Sequence, residues 1–244
     1  MVTIIYRGRL GNNLFQYAAA YIFAQKFGFA LSTAPPNSIF KLPTTTGIKK
    51  SDSHSQETIE VGDENFMTLL RQDNVKNANY KFKGFYQIKD FVLEYEDEIR
   101  GMFSLDHQEK NPSDVFVAYR IGDIVNLRQM LPIQYYQEAL TKIGTKSGYI
   151  TSDSPDHPNV KELSRQFNLK IYEDTADKTI DFAKDFDNLV LSEGSYSWWI
   201  GFLSKAKNVY YNDRERFWHG DIFVLPDWIP LSYDFKHSLN SQNQ

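Results

Sequence analysis

Apolar residues along this chain alternate between two patterns: short runs that fit buried strands, and spacings of three and four that fit helices. The first run, TIIY at 3–6, is β-branched and predicts a buried strand. From Asn12 to Phe27 the residues Leu14, Phe15, Ala18, Ile22, Phe23 and Phe27 keep helical spacing, and Gly28 ends the run. FALS at 29–32 predicts a second strand, so the chain opens as a strand–helix–strand unit of the kind that builds parallel sheets. Residues 33–58, rich in Pro, Thr, Ser and Lys and without periodicity, predict a loop. NYKFKGFYQ (79–87) alternates as a strand, and 88–103 predict a helix with an acidic middle.

HQEKNPSD (107–114) is polar, contains Pro112 and marks a linker. Beyond it the alternation restarts. Strands are predicted at 115–120, 148–153, 169–174, 187–192 and 208–211, and helices at 132–143, 157–167, 179–186 and 195–206. The fold class is therefore α/β, with an N-terminal domain at 1–106, a C-terminal domain at 112–232 and a frayed tail at 233–244. Two such halves imply a cleft, and ligands in such sheets bind beyond the carboxyl ends of the strands.

Composition narrows the class. The chain has 244 residues, 41% hydrophobic and 15% aromatic, enough for a substantial core. Its net charge of −4 and lack of a Lys/Arg block argue against a nucleic-acid partner. Cysteine is absent, which excludes disulfides, zinc thiolates and a thiol nucleophile. The opening MVTIIYRGRLGNN, with its arginines after a short apolar run, is not expected to act as a signal peptide, and no run reaches the ~20 apolar residues of a membrane span. A cytoplasmic protein is expected, and peripheral contact with a membrane carrying a glycolipid is compatible with the sequence.

The predicted strand ends carry RGRLGNN (7–13), GFYQ (84–87), RIGD (120–123), SDSPD (152–156) and SEGSYSWW (192–199), each leading toward a helix. Arg120, at the end of a strand that reads as buried, offers a fork for phosphate or carboxylate, or a structural pair with Asp123. Ser195 and Ser197 precede or open a helix, where backbone N–H groups and hydroxyls bind anions, or where a serine simply caps. Gly8 and Gly11 permit either a tight turn or a close approach of ligand to backbone. Sharper motifs fail. GRLGNN has neither G-x-G-x-x-G spacing nor a P-loop lysine, GSYSW is not a nucleophile elbow, and the five histidines are scattered. DFD (185–187) has the form of a metal-binding D-x-D but sits where a solvated turn is expected, and of the adjacent Trp198 and Trp199 at least one is expected in the core.

In this order, GRLGNNLFQYA (8–18), GFYQIKDF (84–91), AYRIGDI (118–124), YYQEA (135–139), ITSDS (150–154) and EGSYSWW (193–199) resemble the motifs of glycosyltransferase family 11, the α-1,2-fucosyltransferases. The ending FWHGDIFVLPDWI (217–229) is similar to that family's closing segment, so the resemblance spans almost the whole chain. It implies a GT-B-like fold of two facing Rossmann-type domains with a ligand cleft between them. It implies inverting, metal-independent transfer of L-fucose from GDP-fucose to a glycan hydroxyl, with no cofactor. By the same resemblance Arg120 binds the donor diphosphate, and Ser195, Tyr196 and Ser197 cradle the phosphates with Gly122 nearby. Asp153 touches the nucleoside. Gly8, Gly11, Asn12, Gln16, Tyr86 and Gln87 shape the acceptor side. Asp123 is either the general base or the residue that orients Arg120.

The departures are specific. The family's histidine is Ala118 here, its second arginine is Ile121, its asparagine is Glu193, and its second glycine is Arg9. These leave open a sibling enzyme with another nucleotide-sugar, or an inactive glycan- or nucleotide-binding module of the same fold. Arg9 is expected to replace the lost positive charge. Arg9→Ala should then weaken donor binding in calorimetry, and unchanged affinity would remove that role.

Overall fold

The computed structural model describes residues 1–40, 42–44, 57–103, 115–125, 130–216 and 218–232. The chain divides into two compact units, Met1–Leu105 with Phe217–Ile222, and Asp106–Arg216 with Phe223–Gln244. The expected linker at 107–114 and the tail from 233 lie outside the described residues. One stretch differs from the expected division. Residues 217–222 group with the first unit, where the Lys89 N–H donates to the His219 carbonyl at 3.0 Å.

In the first unit β1 (Val2–Ile4), α1 (Leu10–Phe27), β2 (Thr58–Val61), α2 (Asp63–Leu70), β3 (Asn79–Phe82), α3 (Lys89–Glu94) and α4 (Glu96–Met102) follow in order. The strands form a parallel sheet in the order β1-β3-β2. α1 starts two residues earlier than its apolar period predicts and ends as expected, with Gly28 left-handed at φ 72° and its N–H bonded back to the last turn. Its alanines Ala18, Ala19, Ala20 and Ala24 and its ring at Phe23 are all fully buried. Phe23 lies 4.7 Å from the Phe27 ring centroid, 4.9 Å from Tyr80 and 5.4 Å from Phe82, joining helix to sheet.

Three expectations for this unit need correction. FALS forms no strand of its own: Phe29 and Leu31 are isolated bridge residues, Leu31 pairing with Val2, and the Thr33 hydroxyl, at 2.7 Å, takes the Ile4 N–H that a longer ladder would use. The predicted loop runs to 58, whereas Thr58 already begins β2, an edge strand with one buried residue and hence little apolar signal. The predicted helix at 88–103 is two helices, broken where Tyr95 adopts φ −124°, ψ 28°.

In the second unit β4 (Val115–Tyr119), α5 (Ile133–Ile143), β5 (Gly148–Ser152), α6 (Pro158–Gln166), β6 (Leu169–Ile171), α7 (Ala176–Ala183), β7 (Asn188–Val190), α8 (Ser195–Phe202), β8 (Asn208–Asn212) and β9 (Ile229–Leu231) alternate. Every strand pairing is parallel, in the order β6-β5-β4-β7-β8-β9. Counted within the unit this is 3-2-1-4-5-6, the doubly wound order compatible with a Rossmann-like α/β fold. All five residues of β4 are buried, as a central parallel strand covered on both faces requires. β9 was not expected, since IPL carries no run long enough to signal a strand. Trp198 and Trp199 are both fully buried, in edge contact at 5.0 Å, so α8 is enclosed on more than one side.

Phe23→Ala should cost about 3–5 kcal/mol, the range for a buried aromatic cut to alanine. Denaturant unfolding followed by far-UV circular dichroism checks it, with a transition shifted for the first unit.

Candidate functional site

The strand order of the second unit reverses between β4 and β7, and it is beyond this point that such sheets leave room for a ligand. The register sets what meets there. Val117 stands opposite Val190 and Tyr119 opposite Ser152, so residues 120–123, 153 and 192–194 emerge from the same edge. Tyr135 holds β7 in place from behind, its buried hydroxyl donating to the Leu191 carbonyl at 2.9 Å. That contact accounts structurally for the YYQEA segment. Burial keeps the Tyr135 hydroxyl protonated by raising it well above its ordinary value.

Arg120 leaves β4 with its N–H on the Ser192 hydroxyl at 3.0 Å, which extends the link between β4 and β7 by a side chain. Its guanidinium donates through Nε and Nη2 to Asp123 Oδ1 at 3.1 and 3.0 Å, and through Nη2 to Oδ2 at 2.9 Å. The side chains are 30% and 51% exposed, so the pair adds about 1 kcal/mol or less to stability; its effect is to aim the guanidinium. Both Asp123 oxygens face Arg120, and this geometry matches the orienting role more closely than that of a base reaching an acceptor.

The guanidinium passes over Gly194, the N-cap of α8. A Cβ there would lie 2.3 Å from Arg120 Nη1, and the backbone sits at φ 100°. Glycine is favoured here by its backbone conformation, while a Cβ would have only to push aside the flexible end of Arg120. α8 has no side-chain cap and no acidic residue in its first turn. Its start carries the partial positive charge of outward-pointing N–H groups, and Arg120 brings a full positive charge to the same place. An anion is the ligand that this arrangement favours.

Several expected roles change. Ser195 is not the cap of α8; Gly194 is. Tyr196 donates its hydroxyl to the Ala176 carbonyl at 3.1 Å, and burial raises it far above its usual range, so the ring packs toward α7. The Ser197 side chain is buried at 2% exposure. For these two, backbone amides are what the site can use. Asp153 Oδ1 accepts the N–H groups of Ile121 at 2.8 Å and Gly122 at 3.0 Å, so its first role is to hold the loop after β4. Ile121 is 2% exposed and lies in the core formed with Leu131, Tyr136 and Leu163, so an arginine at 121 would be buried here. Glu193 does not add a bare negative charge. Arg216 grips its carboxylate at 3.0 and 3.2 Å, and Arg214 Nε reaches Oε1 at 3.1 Å. Neither arginine stands in a recognisable motif; only the parallel register of β7 with β8 brings them to Glu193.

The first unit has its own strand-end cluster. The turn after β1 is made at Gly8, left-handed at φ 77°, while Gly11 is already buried inside α1 and is not the turn residue. Gln16, fully buried, accepts the Arg7 N–H at 3.2 Å and donates to the Gly84 carbonyl at 3.1 Å. Asn12 accepts from Gln87 Nε2 at 2.9 Å. Tyr86 was expected to line a ligand surface but is fully buried, at φ 55°, with its hydroxyl on the Val61 carbonyl at 2.7 Å. Asp63 fixes this strained turn by accepting the N–H groups of Phe85 and Tyr86, and Phe85 is the ring that it exposes. Beside the β1 end, a cavity of about 570 Å³ is lined by Tyr6, Leu10, Asn13, Pro35, Pro36 and Asn37 among others. That volume is in the range of small-molecule sites, and its lining carries no charge. Arg9 is exposed at the N-cap of α1.

Among the described residues no group of three or more His, Cys, Asp or Glu is arranged to hold a metal, and no helix is long and apolar enough to cross a membrane. Neither protein-family models nor curated proteins match this chain.

Gly194→Ala should destabilise the protein by about 1–3 kcal/mol through its positive φ alone. It should also displace the Arg120 guanidinium. Urea unfolding measures the first effect; loss of anion binding by the folded variant measures the second.

Proposed function

We propose that this protein is an inverting glycosyltransferase of GT-B-like build, with the nucleotide-sugar donor on the second unit and the acceptor on the first. The observation that carries the reading is the meeting of Arg120 with the start of α8 over Gly194, at the point where the strand order reverses. A diphosphate suits that place better than a carboxylate, because a fork of donors and a helix start can each take one phosphate. The resemblance to α-1,2-fucosyltransferases makes GDP-fucose the donor to test first, with transfer independent of metal.

In this reaction the acceptor oxygen attacks the anomeric carbon from the face opposite the diphosphate. The new carbon–oxygen bond forms as the bond to the phosphate oxygen breaks. The hydroxyl proton leaves to a base, and the electron pair stays with the departing nucleoside diphosphate. Charge grows on that diphosphate in the transition state. Arg120 and the α8 amides are preorganised where it grows, which is the most effective form of electrostatic catalysis. Asp123 holds the guanidinium, and Asp153 holds the loop that carries it. The uncharged cavity lined by Tyr6, Asn13 and Pro36 suits a neutral sugar ring.

Calorimetry with GDP, UDP, dTDP and CMP, without metal and then with manganese, tests the donor. Micromolar binding of GDP alone, unchanged by manganese, is the expected result. A preference for UDP or dTDP moves the donor and keeps the site; binding without turnover points to a module that has lost catalysis. Arg120→Ala should lower turnover about 10²–10³-fold with thermal stability retained, and wild-type rates would remove Arg120 from the mechanism.

A further inference from the structure

We infer that the cavity beside the β1 end is a sugar subsite read by Asn13, whose Oδ1 accepts a hydroxyl proton from an uncharged pyranose and disfavours anionic sugars. The inference rests on the acceptor reading above and deepens it, naming the chemical class of acceptor and the residue that selects it.

The cavity belongs wholly to the first unit. Tyr6, Leu10, Asn13, Thr33, Pro35 and Pro36 line it, and all fall within Met1–Leu105. One wall is pinned to the end of β1 twice. Thr33 Oγ1 accepts the Ile4 N–H at 2.7 Å, and the Tyr6 hydroxyl donates to the Ala34 carbonyl at 3.0 Å. The next two residues are prolines, each with its φ fixed by its own ring. The wall is therefore formed before a ligand arrives, which spares the ligand an ordering cost. The rings of Tyr6, Pro35 and Pro36 and the Leu10 side chain supply an apolar surface for the C–H face of a pyranose.

The other wall carries Asn13, whose amide has one orientation that its neighbours permit. Gln16 donates Nε2 to the Gly84 carbonyl at 3.1 Å, so its Oε1 is the end that meets the Arg7 N–H at 3.2 Å. The same Oε1 accepts from Asn13 Nδ2 at 3.2 Å, and Nδ2 also donates to the Arg7 carbonyl at 3.2 Å. Turning either amide over would set oxygen against oxygen. Both N–H groups of the Asn13 side chain are thus directed at the protein, and Oδ1 is the end it offers a ligand.

Oδ1 accepts and cannot donate. Tyr6 behaves alike: burial raises its hydroxyl above the ordinary value, so it keeps its proton and gives it to Ala34, while the oxygen can still accept. Two acceptors in an uncharged lining fit a ligand that brings hydroxyl donors. A carboxylate or phosphate brings only more acceptors, and no cation stands among the described residues that line the cavity. Arg7 and Arg9 are exposed and are not lining residues. Asp63, the carboxylate of this strand-end network, accepts the N–H groups of Phe85 and Tyr86.

The experiment is ligand-observed NMR titration of the full-length chain with the methyl glycosides of glucose, galactose and mannose and their monodeoxy analogues. Glucuronic acid and glucose phosphate serve as anionic counterparts. Millimolar binding of at least one neutral glycoside, with weaker or no binding of both anions, is the expected result. One monodeoxy analogue should bind wild type about 3–10-fold more weakly than its parent, the range for one neutral hydrogen bond. Asn13→Ala should bind that analogue and its parent equally, because the hydroxyl has lost its acceptor. A merely structural role for Asn13 would weaken parent and analogue alike and keep their ratio, and that outcome removes Asn13 as the reader. Tyr6→Phe keeps the ring and tests the second acceptor by the same ratio, should Asn13→Ala fail to fold. Anions that bind as well as the neutral sugars, or no neutral glycoside bound at all, overturn the inference. If GDP binds and no sugar does, the donor site stands and this inference alone fails. If a sugar binds with the Asn13 coupling and no nucleoside diphosphate does, the donor reading fails and the sugar subsite stands.

Discussion

β4 is the strand on which the second unit depends. It is buried along its whole length and must satisfy its backbone polar groups by pairing on both edges. Its partners β5 and β7 are reached by crossovers, since parallel neighbours cannot be joined by a tight turn. The order then runs outward in both directions from β4. The segments after β4 and β7 leave the same edge of the sheet and are tied together where the Arg120 N–H donates to the Ser192 hydroxyl. The candidate site follows from sheet pairing before any side-chain chemistry is considered.

Electrostatics then sorts the charged residues by depth. The deep pair of Arg216 and Glu193 is fully coordinated, stacked on an aromatic ring and closed to water. The shallow pair of Arg120 and Asp123 is half open, and an incoming anion can compete for its guanidinium. The same number of charges thus serves two ends. Buried ones must be paired because desolvation would otherwise cost several kcal/mol, on the order of the whole stability of a domain. Exposed ones are weakly held and can be recruited by a ligand.

The first unit solves a different problem with uncharged groups. Its strand ends are stitched by amides, Gln16 between Arg7 and Gly84 and Gln87 onto Asn12. A buried amide offers both donor and acceptor, so one side chain can link two loops without a counter-ion. The strained turn at Tyr86 belongs to this network. Two carboxylate bonds from Asp63 and a buried tyrosine hydroxyl hold a backbone conformation that would not persist alone. The result is a strand-end network joined mainly by amides beside a cavity whose lining carries no charge.

The sequence by itself determined the alternation of strands and helices, the stop of α1 at Gly28 and the placing of Arg120 just past a buried strand. These are local properties: a period of apolar residues, a glycine that tolerates positive φ, a β-branched run that ends in charge. Tertiary structure decided the rest. β2 and β9 are edge strands whose sequences carry little apolar signal, and they exist because β3 and β8 have open edges to pair. Tyr196 and Ser197 looked like phosphate ligands, yet α8 is enclosed and turns both side chains inward. Asp153 looked like a nucleoside contact, and its position opposite the loop after β4 gives it two backbone N–H groups to accept. Arg214 and Arg216 carry no motif at all. Their meeting with Glu193 comes only from the parallel register of β7 and β8, and a register joining residues about 20 apart in the chain is a product of packing that no local pattern encodes.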